Sequence, residues 1–216
     1  MVSLIFDLGN TLKKDLSLET SKDISREIFR KFDVDENTIK TFNQMLLDSL
    51  REKKENFTAK SILSGLLDDD QICEKIIDQI SQELAERFSW NYDTKSVLEN
   101  LTQRGYSIFL LSNSIWNSKF YISENEDYFK YFTDVFFSDQ IGFRKPSRNA
   151  FLKVIKSYNL AINETWMIGD SEENDILPAK ELGLKTIKVA NNLDSTNSKS
   201  KCHFLSEILN IIIDGG

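Results

Sequence analysis

Histidine, cysteine and proline are nearly missing from this chain, whose 216 residues hold one His, two Cys and two Pro. A single histidine, His203, excludes any two-histidine metal site and argues against a Ser–His catalytic triad. It reads as a partly buried ring between a short strand and the last helix. Cys73 and Cys202 lie far apart and form no metal-ligand spacing, so they read as free thiols in a reducing cytoplasm. No run of roughly 18 apolar residues occurs, which leaves no membrane-spanning helix. Met1 leads straight into a strand without a basic segment or a small-residue cleavage site, so no secretory signal is read. These absences together imply a cytoplasmic protein.

Basic charge is also in short supply. Against 34 acidic side chains stand 27 basic ones, for a net charge of -7. Such a chain exerts no global pull on nucleic acid or on an anionic membrane, so neither is expected as a partner. Any phosphate it binds must be held by local groups. The remaining composition, 40% hydrophobic and 28% charged, is that of an ordinary globular protein. The length suits one domain or one with a modest insertion, and oligomeric state is left open.

Turn-forming residues are unevenly spread. Residues 14 to 92 contain one glycine, Gly65, and no proline, whereas Gly105, Gly142, Gly169, Gly183, Pro146 and Pro178 punctuate the region after 92. The first region therefore predicts a few long helices. Ile24, Ile28, Phe29 and Phe32 recur at helical spacing, as do Ile39, Phe42, Met45, Leu46 and Leu50. Ile62, Leu63, Leu66 and Leu67 suggest a third helix. Ile72, Ile76, Ile80, Leu84 and Phe88 give a fourth, and Asp35 and Thr58 are placed to cap two of the four. After residue 92 the pattern alternates. Helices are expected over 96–103, 147–158, 176–182 and 205–213, with strands over 106–111, 135–138, 166–168 and 185–189. Asn191 to Lys201, rich in Asn and Ser, read as a surface loop. Alternation of this kind implies βαβ units and a parallel sheet. The expected architecture is α/β: a Rossmann-like core of residues 1–13 and 93–216, with a four-helix insertion at 14–92.

Against that framework four segments stand out, in order but far apart. They are Leu4-Ile5-Phe6-Asp7-Leu8-Gly9-Asn10-Thr11, Ile108 through Asn113, Arg144-Lys145-Pro146, and Met167-Ile168-Gly169-Asp170 continuing to Asp175. Three are apolar runs that stop at a reactive polar residue, and the fourth supplies a lysine. Ligands of open parallel sheets bind at the carboxyl ends of the strands, where such residues would gather. Alone, each has an ordinary reading: a solvated turn aspartate, a strand-end serine, a surface lysine, an acidic helix cap. Four in register outweigh those readings.

The four segments resemble the motifs of the haloacid dehalogenase superfamily, hydrolases with an aspartate nucleophile, along the whole length of the chain. The insertion point resembles that of its type 1 cap, which covers the site and shapes specificity. The resemblance implies that Asp7 is the nucleophile, forming an aspartyl phosphate. Ser112 and Asn113 would donate to phosphate oxygens, Lys145 would compensate charge, and Mg²⁺ would be held by Asp7, Asp170 and the Gly9 carbonyl. Asp175 would orient a ligand or Lys145, with Thr11 supporting the loop around Asp7. Independently of the family, three carboxylates in a small space repel unless a cation intervenes. Mg²⁺ suits oxygen ligands and usually keeps waters and substrate phosphate.

One position departs from the pattern. Most phosphatases of the superfamily carry a second aspartate, the general acid and base, two residues after the nucleophile; here that position is Gly9. General acid–base catalysis contributes about 10² to 10⁴ in rate. Its loss would slow expulsion of alkoxides and spare anomeric, aryl or acyl phosphates. Some members resembling sugar-1-phosphate phosphatases share the D-x-G-N start. Three functions are implied, in this order: an Mg²⁺-dependent phosphatase of a small phosphorylated metabolite, a degraded relative that only binds a phosphometabolite or protein, and a 2-haloacid dehalogenase. Lys13 and Lys14, on the way into the insertion, read as solvated hinge residues or contacts to an anionic substrate. Phe88, Trp90 and Tyr92 read as core packing or hinge contacts in preference to a ligand platform, and Trp116 and Phe143 as candidate pocket walls.

Overall fold

A computed structural model describes residues 2–189, 201–202 and 205–214. Its centre is a parallel sheet of β1 (Ser3–Phe6), β4 (Ser107–Ser112), β5 (Asp134–Phe137), β6 (Thr165–Gly169), β7 (Lys185–Val189) and β8 (Lys201–Cys202), in the order β5-β4-β1-β6-β7-β8. β1 and β6 are buried along their whole length, which is why they read as continuous apolar runs.

Side chains alternate across the sheet with the two-residue period of a strand. Leu4, Phe6, Ile108, Leu110, Trp166 and Ile168 join one hydrophobic cluster with Val97, Leu98 and Leu101 of α5 (Thr94–Gln103) and Ile208 and Ile212 of α11 (Ile208–Asp214). Ile5, Phe109, Leu111 and Met167 join another, on the opposite face, with α9 (Arg148–Tyr158) and α10 (Leu177–Glu181). The register fixes the site. Phe6 pairs with Leu110 on one side and Ile168 on the other, so Asp7, Ser112 and Asp170 all lie one or two residues past the same rung.

A third cluster belongs to the inserted helices α1 (Leu18–Lys31), α2 (Glu36–Arg51), α3 (Ala59–Leu63) and α4 (Asp70–Glu86), with Phe29, Phe42, Leu63, Ile76 and Ile80 fully buried. Asp35 accepts the N–H groups of Asn37 and Thr38, and Thr58 forms a reciprocal cap with Ser61. Cys73 is a free, buried thiol in this cluster. The chain enters and leaves the insertion through a ribbon absent from the sequence reading, β2 (Lys13–Lys14) antiparallel to β3 (Ser89–Trp90). Trp90 stacks on Tyr128 at 4.2 Å and packs edge-on against Phe88, while Tyr92 is exposed.

Three expectations need correction. The third helix ends at Leu63 instead of running to Leu67, because Ser64 and Gly65 lie in turns. The helix expected from Ile176 is preceded by a π-helical turn over Glu172–Ile176. Short helices α6 (Lys119–Ser123), α7 (Glu126–Phe129) and α8 (Ser138–Ile141) went unread. His203 and the loop expected at Asn191–Lys201, apart from Lys201 in β8, lie outside the described residues. Among the described residues, no helix is long and apolar enough to cross a membrane.

Candidate active site

Asp7 leaves the sheet still tied to it, its N–H donating to the Ile168 carbonyl at 2.8 Å. The buried carboxylate accepts from Lys145 Nζ at 2.6 Å on Oδ1 and from Thr11 Oγ1 at 3.2 Å on Oδ2. Lys145 is itself buried and donates equally to Asp175 Oδ1, at 2.6 Å. One ammonium thus bridges residues 138 and 30 positions away in sequence.

Asp175 projects from the π-helical turn, and its second oxygen accepts the Ser171 N–H at 3.0 Å. A Cβ on Gly169 would collide with that carboxylate, so the end of β6 must lack a side chain for Asp175 to lie against it. Asp170 completes the group: one oxygen each of Asp7, Asp170 and Asp175 lie within 4.8 Å of one another. Burial, reinforced by the Asp175 charge against the counter-pull of Lys145, pushes the Asp7 carboxyl up to about 7. Burial and Asp175 likewise push Asp170 up to about 6. Burial disfavours the Lys145 charge, but Asp175 and Asp7 outweigh it and hold the ammonium above the ordinary lysine range.

Ser112 ends β4 and lines the same cavity, of about 440 Å³. Asn113 is engaged with the backbone of Lys145, its Nδ2 donating to the Lys145 carbonyl and its Oδ1 accepting the Lys145 N–H, both at 2.9 Å. An amide nitrogen carries two hydrogens, so one Nδ2–H remains for another acceptor. The Lys145–Pro146 peptide is cis. Arg144, unassigned by sequence, donates to the Ser114 carbonyl at 3.0 Å and pins the loop after Ser112.

Trp116 lines the cavity as expected; Phe143 does not. It packs against the Ile5/Phe109 cluster on a face of the sheet. Lys13 lines the cavity, with its Nζ 4.7 Å from the Phe88 ring centre, whereas Lys14 is exposed. Among the residues that sequence reasoning missed is Asp15. It also lines the cavity, bound by Lys13 Nζ at 2.6 Å and Asn10 Nδ2 at 3.2 Å. No motif flags it, because it reaches the site only through the loop turned at Asn10, whose φ is +52°.

The family profile described as haloacid dehalogenase-like hydrolase matches residues 4–189. The chain belongs to that family. Among similar proteins is the phosphoglycolate phosphatase of Vibrio parahaemolyticus, 29% identical over 147 residues, 64% of this chain and 63% of that one. Another is the glyceraldehyde 3-phosphate phosphatase of Pyrococcus abyssi, 32% identical over 97 residues, 43% of this chain and 39% of that one. The match thus spans less than two thirds of either relative. In structure the chain resembles a 2-haloacid dehalogenase from Pseudomonas syringae, with a TM-score of 0.77, 17% identity and full coverage of both chains. That likeness establishes the fold alone.

Proposed function

We propose that this chain is an Mg²⁺-dependent phosphatase of a small phosphorylated metabolite, working through an aspartyl phosphate on Asp7. The observation that carries the reading is the Lys145 ammonium held between Asp7 and Asp175, with Asp170 in the same cluster. The phosphatase names of both sequence relatives point the same way.

The donor set fits the metal. Three carboxylates face one bridging ammonium, so the cluster carries an excess of negative charge, and burial first, then the neighbouring Asp175, raises the Asp7 and Asp170 carboxyls. A hard divalent cation with oxygen ligands relieves that excess. Asp7, Asp170 and the Gly9 carbonyl would hold it. When bound, it supplies charge neutralisation for the phosphoryl group as that group approaches Asp7.

The chain's own residues do the rest. Thr11 and Lys145 fix the Asp7 carboxylate, leaving it aimed from the strand end into the cavity. Ser112 and the second Nδ2–H of Asn113 donate to phosphate oxygens, and Lys145 compensates charge as the phosphoryl group transfers. Asp175 keeps Lys145 in place. Attack by Asp7 replaces one difficult displacement with two easier ones. The helices of 14–92 act as a cap on the core of 1–13 and 93–216, with Trp116 in the cavity wall and packed against their cluster. The same reading places the enzyme in the cytoplasm with soluble phosphometabolites as its partners, and not nucleic acid or membrane.

Phosphate release is measured from phosphoglycolate, glyceraldehyde 3-phosphate and an aryl phosphate in Mg²⁺, alongside halide release from 2-haloacids. Turnover of at least one phosphate supports the reading. Halide release with no phosphate turnover would favour a dehalogenase, and Mg²⁺ binding with neither activity a binding-only relative.

A further inference from the structure

The side chain missing at position 9 has its place filled from elsewhere. An ideal Cβ on Gly9 would lie 2.6 Å from Asp15 Oδ2 and 2.9 Å from Oδ1. A carboxylate from further along the chain therefore occupies the volume where a residue-9 side chain would begin. It is held there from both sides. Lys13 Nζ donates to Oδ1 at 2.6 Å, Asn10 Nδ2 donates to Oδ2 at 3.2 Å, and the Asp15 N–H returns to Asn10 Oδ1 at 3.3 Å. Asn10 adopts a left-handed conformation unusual for a residue with a Cβ, and that conformation goes with the reciprocal bond. Asp15 lines the same cavity as Asp7, Ser112 and Lys145, yet lies outside the three-carboxylate cluster that would hold a cation. Its side chain is 45% exposed, so it is open to the cavity.

We propose that Asp15 is the catalytic acid and base that Gly9 lacks, a role that rests on the phosphatase reading above. As an Asp7 oxygen bonds to phosphorus, the bond from phosphorus to the leaving oxygen breaks and its electron pair stays on that oxygen. Asp15 enters the cycle protonated, and the leaving oxygen takes that proton from its carboxyl. In the second half Asp15, now a carboxylate, takes a proton from water as the water oxygen bonds to phosphorus. The phosphorus–Asp7 bond breaks, freeing inorganic phosphate, the Asp7 carboxylate and a reprotonated Asp15. An aspartate at position 9 would displace the Asp15 carboxylate from this space.

The test compares wild type, Asp15→Asn, Asp15→Ala and the double variant Gly9→Asp/Asp15→Ala on an alkyl and an aryl phosphate in Mg²⁺. Asp15→Asn should lower kcat/KM on the alkyl phosphate by about 10²-fold or more, in line with lost acid catalysis. The loss should be much smaller on the aryl phosphate, whose leaving group needs no proton. Acid-quenched Asp15→Asn should retain phosphate on Asp7, because its hydrolysis has slowed. The double variant should recover at least ~10-fold over Asp15→Ala. Equal losses on both substrates, or an alkyl kcat/KM within ~3-fold of wild type in both Asp15 variants, would overturn the assignment. Should the double variant fail to fold, the leaving-group contrast in Asp15→Asn still decides. A wild type inactive on every phosphate overturns the phosphatase reading and Asp15's role with it, whereas an active wild type with indifferent Asp15 variants overturns the Asp15 role alone.

Discussion

Lys145 is buried with 2.6 Å contacts to both Asp7 and Asp175, so its charge is needed by the fold as well as by any chemistry. Removing one partner of a buried ion pair leaves the others uncompensated, at about 3–5 kcal/mol. Lys145→Ala should therefore lose roughly that much stability in urea unfolding, in addition to its activity. A loss near zero would show that solvent or protons already neutralise the two carboxylates. Gly169→Ala makes a second case at this scale. Its Cβ meets the Asp175 carboxylate, so Asp175 must move and release Lys145. Turnover should fall by at least ~10-fold with the sheet intact by circular dichroism, and an unaffected rate would mean that Asp175 need not hold its present place. Asp7, Ser112, Asp170 and Asp175 were legible from sequence because each ends or adjoins an apolar run, and Lys145 because it falls in order among those segments. Asp15 was not, since its position depends on one left-handed residue, Asn10, and a salt link to Lys13.

The longer helices and central strands follow from periodicity, and most of their ends agree to within two residues. Elements that escaped notice are those too short to have a period. The β2–β3 ribbon has two residues per strand, and α6, α7 and α8 have four or five residues each. The π-helical turn escaped for another reason: its widened geometry is set by Asp175 reaching the Ser171 N–H and Lys145, a tertiary demand invisible in apolar spacing. Phe42 tests whether the inserted helices have a core of their own. It is fully buried, edge-on to Phe29 at 5.1 Å between ring centres and 6.3 Å from Trp116. Phe42→Ala should cost about 3–5 kcal/mol in chemical denaturation. A cost below ~1 kcal/mol would mean the helices close around the gap.

At the scale of the whole molecule, the insertion and the sheet meet around the cavity. The Ala59 N–H donates to the Ile115 carbonyl at 2.7 Å, and Asn117 binds both Asp78 and Ser81 of α4. Lys53 reaches Glu173 at 3.2 Å, an exposed pair worth little by itself. The acidic cluster therefore lies in a partly closed chamber, and a cation bound there stabilises the folded state alone. Thermal unfolding should shift upward in millimolar Mg²⁺ relative to EDTA, and Asp170→Asn should abolish most of that shift. An equal shift in Asp170→Asn would place the cation elsewhere.

Asp7 as a metal-dependent nucleophile is tested most directly by aryl phosphate hydrolysis in one preparation each of wild type and Asp7→Asn, with Mg²⁺, with EDTA, and with Mg²⁺ restored. The account predicts wild-type turnover that vanishes in EDTA and returns with the metal. It also predicts a folded Asp7→Asn protein slowed by at least ~10³-fold. Turnover that survives either EDTA or the loss of the Asp7 carboxylate would contradict it.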